Sequence, residues 1–152
     1  MTTKYKMRDD LDFRTRWDTS SSKRQKFPTF IPIIVEYGPL ATRCPKIKGE
    51  RTYQKYLADG DITMGMFMKE IRKRMHLKPS EGLILLVDTP AGGDVMVTMS
   101  QTLQQVDVQY RNSDGFLYVF VTLENVFGRD FFSIDDNAKW GTINPTSPSL
   151  GN

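Results

Sequence analysis

The chain predicts an α+β fold: a four-stranded mixed sheet crossed by one long helix, with two additional N-terminal helices. Three observations predict it. Apolar, β-branched and aromatic runs at 30–37, 51–58, 83–87 and 116–121 have the length and composition of strands. Between the second and third run, Met64, Phe67, Met68, Ile71 and Met75 recur at helical spacing. Ahead of the first run, residues 4–26 mix charges with spaced apolar anchors at Tyr5, Met7, Leu11, Phe13 and Trp17, the weak periodicity of one or two surface helices.

The first strand, Phe30-Ile31-Pro32-Ile33-Ile34-Val35-Glu36-Tyr37, carries a proline, which cannot donate to a ladder and so marks a strand end or a sheet edge. Gly38 to Gly49 is turn-like, with Pro39 and Pro45 as breakers. The second strand, Arg51 to Ala58, ends at Asp59-Gly60-Asp61. Thr63 then has the character of a helix N-cap, Lys69, Arg72, Lys73 and Arg74 favour the helix's C-terminal half, and Pro79 stops it. Leu83-Ile84-Leu85-Leu86-Val87 reads as a buried strand, Pro90-Ala91-Gly92-Gly93 as a turn, and 98–107 as a short helix. Phe116-Leu117-Tyr118-Val119-Phe120-Val121 is the last strand. Two strands, a crossing helix and two more strands form the ubiquitin-like β-grasp order.

A chain of 152 residues with 39% hydrophobic content is the size of one domain and buries a core. No apolar run approaches the roughly 18 residues that span a bilayer, and Met1–Lys6 has no signal-peptide core behind it. The single cysteine, Cys44, excludes an intrachain disulfide and fits a reducing, cytoplasmic setting. A formal charge of +3 is too mild to argue for nucleic acid. Residues 1–26 hold eight basic against four acidic side chains, either a solvated helical face or a surface for an acidic partner. The only histidine, His76, has no evident metal or nucleophile partner, Gly92-Gly93 lacks the Gly-Lys-Ser/Thr of a phosphate loop, and no enzyme, metal site or cofactor is expected. After Phe127-Gly128 the composition shifts to a polar 24-residue tail with Pro145, Pro148, Gly141 and Gly151. The chain thus divides into an N-terminal helical extension (1–26), a β-grasp core (27–128) and a flexible C-terminal propeptide (129–152).

Six strings carry a family resemblance: Phe27-Pro28, Ile31-Pro32-Ile33-Ile34, Lys55-Tyr56-Leu57, Ile71-Arg72-Lys73-Arg74-Met75, Asp114-Gly115-Phe116-Leu117-Tyr118 and Glu124-Asn125-Val126-Phe127-Gly128. In order and spacing, from about Lys4 to Gly128, the chain resembles the autophagy-related protein eight family of ubiquitin-like modifiers, the GABARAP and microtubule-associated light-chain group. The resemblance implies a non-enzymatic modifier. An autophagy cysteine protease cuts after Gly128, with Phe127 as the apolar anchor before the scissile bond. Activating and conjugating enzymes then carry the glycine to phosphatidylethanolamine on the autophagosome membrane. Glycine suits this chemistry because it has no Cβ to obstruct attack on its carbonyl.

The resemblance also implies a groove that takes cargo-receptor peptides of the form aromatic-x-x-aliphatic as an added strand. Lys55-Tyr56-Leu57 lies on the accepting strand. Pro32, Ile34, Leu57 and Phe116 map to the aromatic pocket and Tyr56, Ile62 and Phe67 to the aliphatic one, with Lys55 and Arg74 facing acidic flanks. Ile34 and Phe67 read equally well as ordinary core. The alternative function is a non-conjugated adaptor that keeps its tail and binds peptides or acidic microtubule surfaces. Three departures from the family pattern bear on the groove. Phe30 stands where a basic residue is usual, Ala58-Asp59 replace Val-Pro, and Lys69-Glu70 occupy positions that are commonly apolar. They imply a shallower or more polar second pocket. Finally, the tail itself contains two aromatic-x-x-aliphatic segments, Phe131–Ile134 and Trp140–Ile143, either of which could enter the groove of another copy; Trp140 has more slack to fold back on its own.

Overall fold

The computed structural model describes residues 5–37, 53–75, 77, 82–123 and 140–145. Helices α1 (Lys6–Asp10) and α2 (Phe13–Lys26) precede β1 (Phe30–Tyr37) and β2 (Tyr53–Asp59). Then follow α3 (Met64–Arg74), β3 (Leu83–Asp88), β4 (Asp94–Val95), α4 (Leu103–Tyr110), β5 (Leu117–Leu123) and β6 (Gly141–Ile143). The sheet runs β4-β3-β5-β1-β2-β6. Its centre is the expected four strands, with β1 antiparallel to β2 and parallel to β5. Two short strands extend the edges, and β6 comes from the tail.

Alternation along the strands makes two apolar layers. Ile31, Ile33, Val35 and Tyr37 of β1 and Leu117, Val119, Val121 and Leu123 of β5 face Met64, Phe67 and Ile71 of α3 and Leu103 and Val106 of α4. On the opposite face Ile34, Tyr53, Phe116, Tyr118 and Phe120 pack with Tyr5 and Met7. There the Tyr5 ring meets Tyr118 edge-on at 5.1 Å and Phe120 at 6.2 Å, the geometry that aromatic quadrupoles favour. Strand β3 is buried on one face only: Leu83, Leu85 and Val87 are covered, while Ile84 and Leu86 are half-buried.

Pro32 is not at a sheet edge. Strand β1 is central, but its pairing with β5 begins at Ile33, so the missing N–H lies beyond the end of that ladder. Thr63 caps α3 as expected, its hydroxyl accepting from the Met66 N–H at 3.1 Å. The short helix starts later than 98, because residues 99–101 serve α3. The carbonyls of Gln101 and Met99 accept the Met64 and Gly65 N–H groups at 2.8 and 3.0 Å, satisfying donors that a helix start otherwise leaves open. Helix α4 then begins in a capping box between Thr102 and Gln105.

The attachment of α2 corrects the sequence reading most. Phe13 and Trp17 are not anchors; they are 49% and 46% exposed. The inward stripe is Arg16, Ser20 and Arg24, at i, i+4, i+8. Arg16 Nε donates to Asp114 at 2.8 Å, the Ser20 hydroxyl to the Asp114 carbonyl at 2.6 Å, and the Arg24 fork to both Asp107 oxygens at 2.8 and 3.0 Å. From α1, Arg8 pairs with Asp88 at 2.6 Å and covers the Tyr118 ring at 3.9 Å. Part of the basic character of the N-terminus is therefore matched by acids of this same chain.

Burial, reinforced by neighbouring carboxylates, pushes two phenols of this layer upward: Asp94 and Asp88 beside Tyr5, and Asp114 beside Tyr118. The folded state holds them neutral, so their contribution is complete below the ordinary value of 10.0. It is lost as pH rises beyond that value, where the unfolded chain ionises them freely. Between about pH 9 and 11, unfolding free energies should fall less steeply in Tyr118→Phe than in the wild type. An unchanged slope would mean that Tyr118 does not couple to alkaline unfolding.

Candidate functional site

The candidate site is the outer edge of β2. There the tail strand β6 pairs in parallel, with Tyr56 opposite Gly141, Leu57 opposite Thr142 and Ala58 opposite Ile143. Because side chains alternate along a strand, Trp140 and Thr142 fall on one face of the sheet and Gly141 and Ile143 on the other.

Trp140 lies on the α2 face. Its ring stacks on Phe116 at 6.2 Å with 20° between planes. It packs against the layer that contains Ile34 and Tyr53. Two ammonium groups approach the same indole, Lys55 Nζ at 5.4 Å and Lys23 Nζ at 5.1 Å, each adding a cation–π attraction. Pro32, across from Leu57 in the β1–β2 ladder, is buried beside them. The structure thus brings Ile34, Lys55 and Phe116 to one aromatic ring, and by alternation Leu57 shares the face of Lys55.

Ile143 enters the main core with 2% exposure, in the cluster that includes Tyr56, Ala58, Ile62 and Phe67. The Tyr56 ring is held from three sides: Phe67 edge-on at 6.2 Å, the Arg74 guanidinium at 5.3 Å, and the Tyr37 hydroxyl at 3.4 Å from its own. Burial raises the Tyr56 phenol, against the opposing hydrogen bond of Tyr37 and charge of Arg74. Arg74 also donates to the Thr142 carbonyl at 3.0 Å, so it binds backbone here rather than an acidic flank. Lys69 is exposed, and Glu70 leans toward Lys73 and Arg74 at 3.8 and 4.0 Å. These departures leave a second pocket deep enough to bury an isoleucine.

Lys23 is the residue of this candidate site that the sequence does not single out. Phe30, standing where a basic residue is usual, packs edge-on with Phe27 at 6.2 Å, and the second cation comes from the last turn of α2. The excess of basic residues before 27 is the only sequence signal for it. Phe127, Gly128, Phe131–Ile134, Cys44, His76, Pro79 and the turn at 38–49 lie outside the described residues.

The sequence model of the family described as "Autophagy protein Atg8 ubiquitin like" matches residues 15–128. The chain belongs to the Atg8 family. Autophagy-related protein 8 of Schizosaccharomyces pombe is 30% identical over 124 residues, covering 82% of this chain and 94% of the yeast protein. The crystal structure of Trypanosoma brucei ATG8 superposes with a TM-score of 0.63 at 29% identity, covering 84% of this chain and all of that one. This Atg8-family chain is accordingly a ubiquitin-like autophagy protein with the N-terminal helices and mixed sheet expected of it. Among its described residues no helix is long and apolar enough to cross a membrane.

Proposed function

We propose that this chain is the precursor of a lipid-conjugated autophagy modifier. A cysteine protease hydrolyses the bond between Gly128 and Arg129. Activating and conjugating enzymes then pass the exposed glycine, as thioesters, to the amine of phosphatidylethanolamine on the autophagosome membrane. The soluble domain becomes anchored by two acyl chains, which hold where one chain does so only marginally. The β2 edge then recruits cargo receptors and adaptors that present an aromatic-x-x-aliphatic strand.

The observation that carries the groove half of this reading is the seating of Trp140 and Ile143. Aromatic and aliphatic side chains three residues apart enter two pockets on opposite faces of one added strand. The conjugation half is supported by the place where the family match ends, residue 128, with a polar tail of different composition beyond it.

Intact mass after incubation with autophagy-competent cytosol tests it, beside a Gly128→Ala chain. The wild type should lose residues 129–152 and the variant should stay whole. An uncut chain in both samples would sink the precursor reading and favour a non-conjugated adaptor, with β6 a permanent strand.

A further inference from the structure

We infer that residues 140–143 are a tethered ligand that keeps this groove filled until the chain is cut after Gly128, and that Tyr56 restricts the groove to strands with glycine after the aromatic residue. The inference rests on the groove and cleavage readings above, and goes beyond them in assigning an internal occupant and a sequence rule.

The fit of the segment supports the first half. All three residues of β6 have partners on β2, the half-buried indole is flanked by Phe116, Lys23 and Lys55, and Ile143 is buried. Within β6 Thr142, the second intervening residue, faces solvent. Sixteen residues, 124–139, connect β5 to Trp140. At up to about 3.3 Å per residue such a connection reaches across a small domain. It holds the segment near the groove at an effective concentration on the order of millimolar. Gly128 lies within this connection. Hydrolysis of the bond after it, with water supplying the new carboxylate on Gly128 and the new amine on Arg129, turns a tethered ligand into a free peptide. That peptide dilutes away, so one cut both exposes the glycine and opens the groove.

Tyr56 supports the second half. A Cβ on Gly141 would sit 2.5 and 2.6 Å from Cε1 and Cδ1 of the Tyr56 ring, and 3.1 Å from an Arg74 terminal nitrogen. The ring cannot easily turn away, because Phe67, Arg74 and Tyr37 hold it from three sides. Any side chain at that position meets a fixed aromatic wall. External partners of this groove are therefore peptides of the pattern aromatic-glycine-x-aliphatic.

The test uses full-length chains with no protease present. The probe is a fluorescein-labelled synthetic copy of residues 137–145, and a second copy with alanine in place of the glycine. Three proteins are compared: the wild type, Gly141→Ala, and the double variant Trp140→Ala/Ile143→Ala. Gly141→Ala should expel the tail by the Tyr56 clash while leaving every groove residue intact. The glycine probe should bind both variants at least about tenfold more tightly than the wild type, since a groove that is mostly occupied presents a reduced apparent affinity. The alanine probe should bind all three poorly. Amides of residues 141–143 should exchange slowly in the wild type at every protein concentration and quickly in Gly141→Ala. Equal probe affinity for wild type and both variants would overturn the tethered ligand while leaving the groove standing. Absence of binding to the double variant would overturn the groove reading itself. Equal binding of the two probes would overturn the glycine rule, and protection that fades on dilution would move the tail to a second copy.

Discussion

Asp114→Ala should cost the fold about 3–5 kcal/mol, the penalty for removing one partner of a buried ion pair, and should loosen α2, which stays attached through the Ser20 hydroxyl on the residue-114 carbonyl and the Arg24 fork on Asp107. Asp114 has 0% exposure and receives three donors: the Phe116 N–H at 3.0 Å, the Tyr118 hydroxyl at 2.5 Å and Arg16 Nε at 2.8 Å. Alanine leaves the phenol without its acceptor. It also leaves a guanidinium whose side chain is only 13% exposed without its counter-charge. The remaining bonds of Arg16, to the Leu11 and Arg8 carbonyls, stay within the N-terminal segment and attach it to nothing else. Urea unfolding gives the loss, and amide exchange locates it: protection should fall first in Phe13–Lys26. Asparagine keeps the volume, but one amide oxygen cannot replace both carboxylate oxygens for three donors, so Asp114→Asn should fall between wild type and alanine. A loss below about 1 kcal/mol for alanine would mean that α2 is held by something other than this acid.

That prediction marks where sequence reading stops. The four central strands were legible as apolar, β-branched and aromatic runs of strand length, and α3 because its apolar residues recur at helical spacing. Helix α2 carries only a weak signal, enough for its existence but not for its inward face. Its buried stripe is Arg16, Ser20 and Arg24, which in sequence look like solvent-facing residues, while Phe13 and Trp17, which look like anchors, are exposed. The acids that reverse the reading, Asp107 and Asp114, lie some ninety residues away, and no local pattern connects a charge to a counter-charge at that distance. Pro32 marked the end of a ladder and not a sheet edge, and the sequence could not choose between the two because where a ladder begins depends on the neighbouring strand. Most of the residues that surround Trp140 and Ile143, among them Ile34, Lys55, Tyr56, Phe67 and Phe116, stand out in the sequence through the family's strings or the helical repeat. Lys23 does not, because it reaches the groove from a different element, and the preference for glycine at 141 depends on how three neighbours fix the Tyr56 ring.

The tail contributes a second asymmetry. Trp140–Ile143 fits a two-position pattern that is common by chance; its greater slack favours it for folding back on its own copy, while Phe131–Ile134 has acidic neighbours in Asp130, Asp135 and Asp136. In three dimensions it places a glycine where the groove has no room for a side chain and brings two ammonium groups from separate elements onto one indole. Both are tertiary properties. They also explain how an edge strand is kept from pairing promiscuously: an unpaired β2 edge is a template for other strands, and β6 covers it.

Phe67→Ala should lose about 3–5 kcal/mol, and the manner of the loss should decide whether Phe67 is core alone or core and pocket wall together. The ring has 0% exposure within the main cluster and supports Tyr56 edge-on. Deleting it removes the transfer free energy of a buried phenyl group and leaves a cavity in a layer shared with Ile62, Ile71 and Ile143. Denaturant unfolding measures the total. A double-mutant cycle with Ile143→Ala separates the roles. If Phe67 is only core, the two losses add within about 0.3–0.5 kcal/mol; if its ring is also the floor on which Ile143 rests, the cycle leaves a coupling of about 0.5–3 kcal/mol. We expect the coupled result, because Phe67 also holds the Tyr56 ring at the place where Gly141 passes. Loss of that support should let Phe67→Ala chains tolerate alanine at position 141, so that Gly141→Ala no longer releases the tail. A residue that serves the core and the groove at once links the stability of the domain to its selectivity, and substitutions that relax the glycine rule at this position should be the ones that cost the fold most.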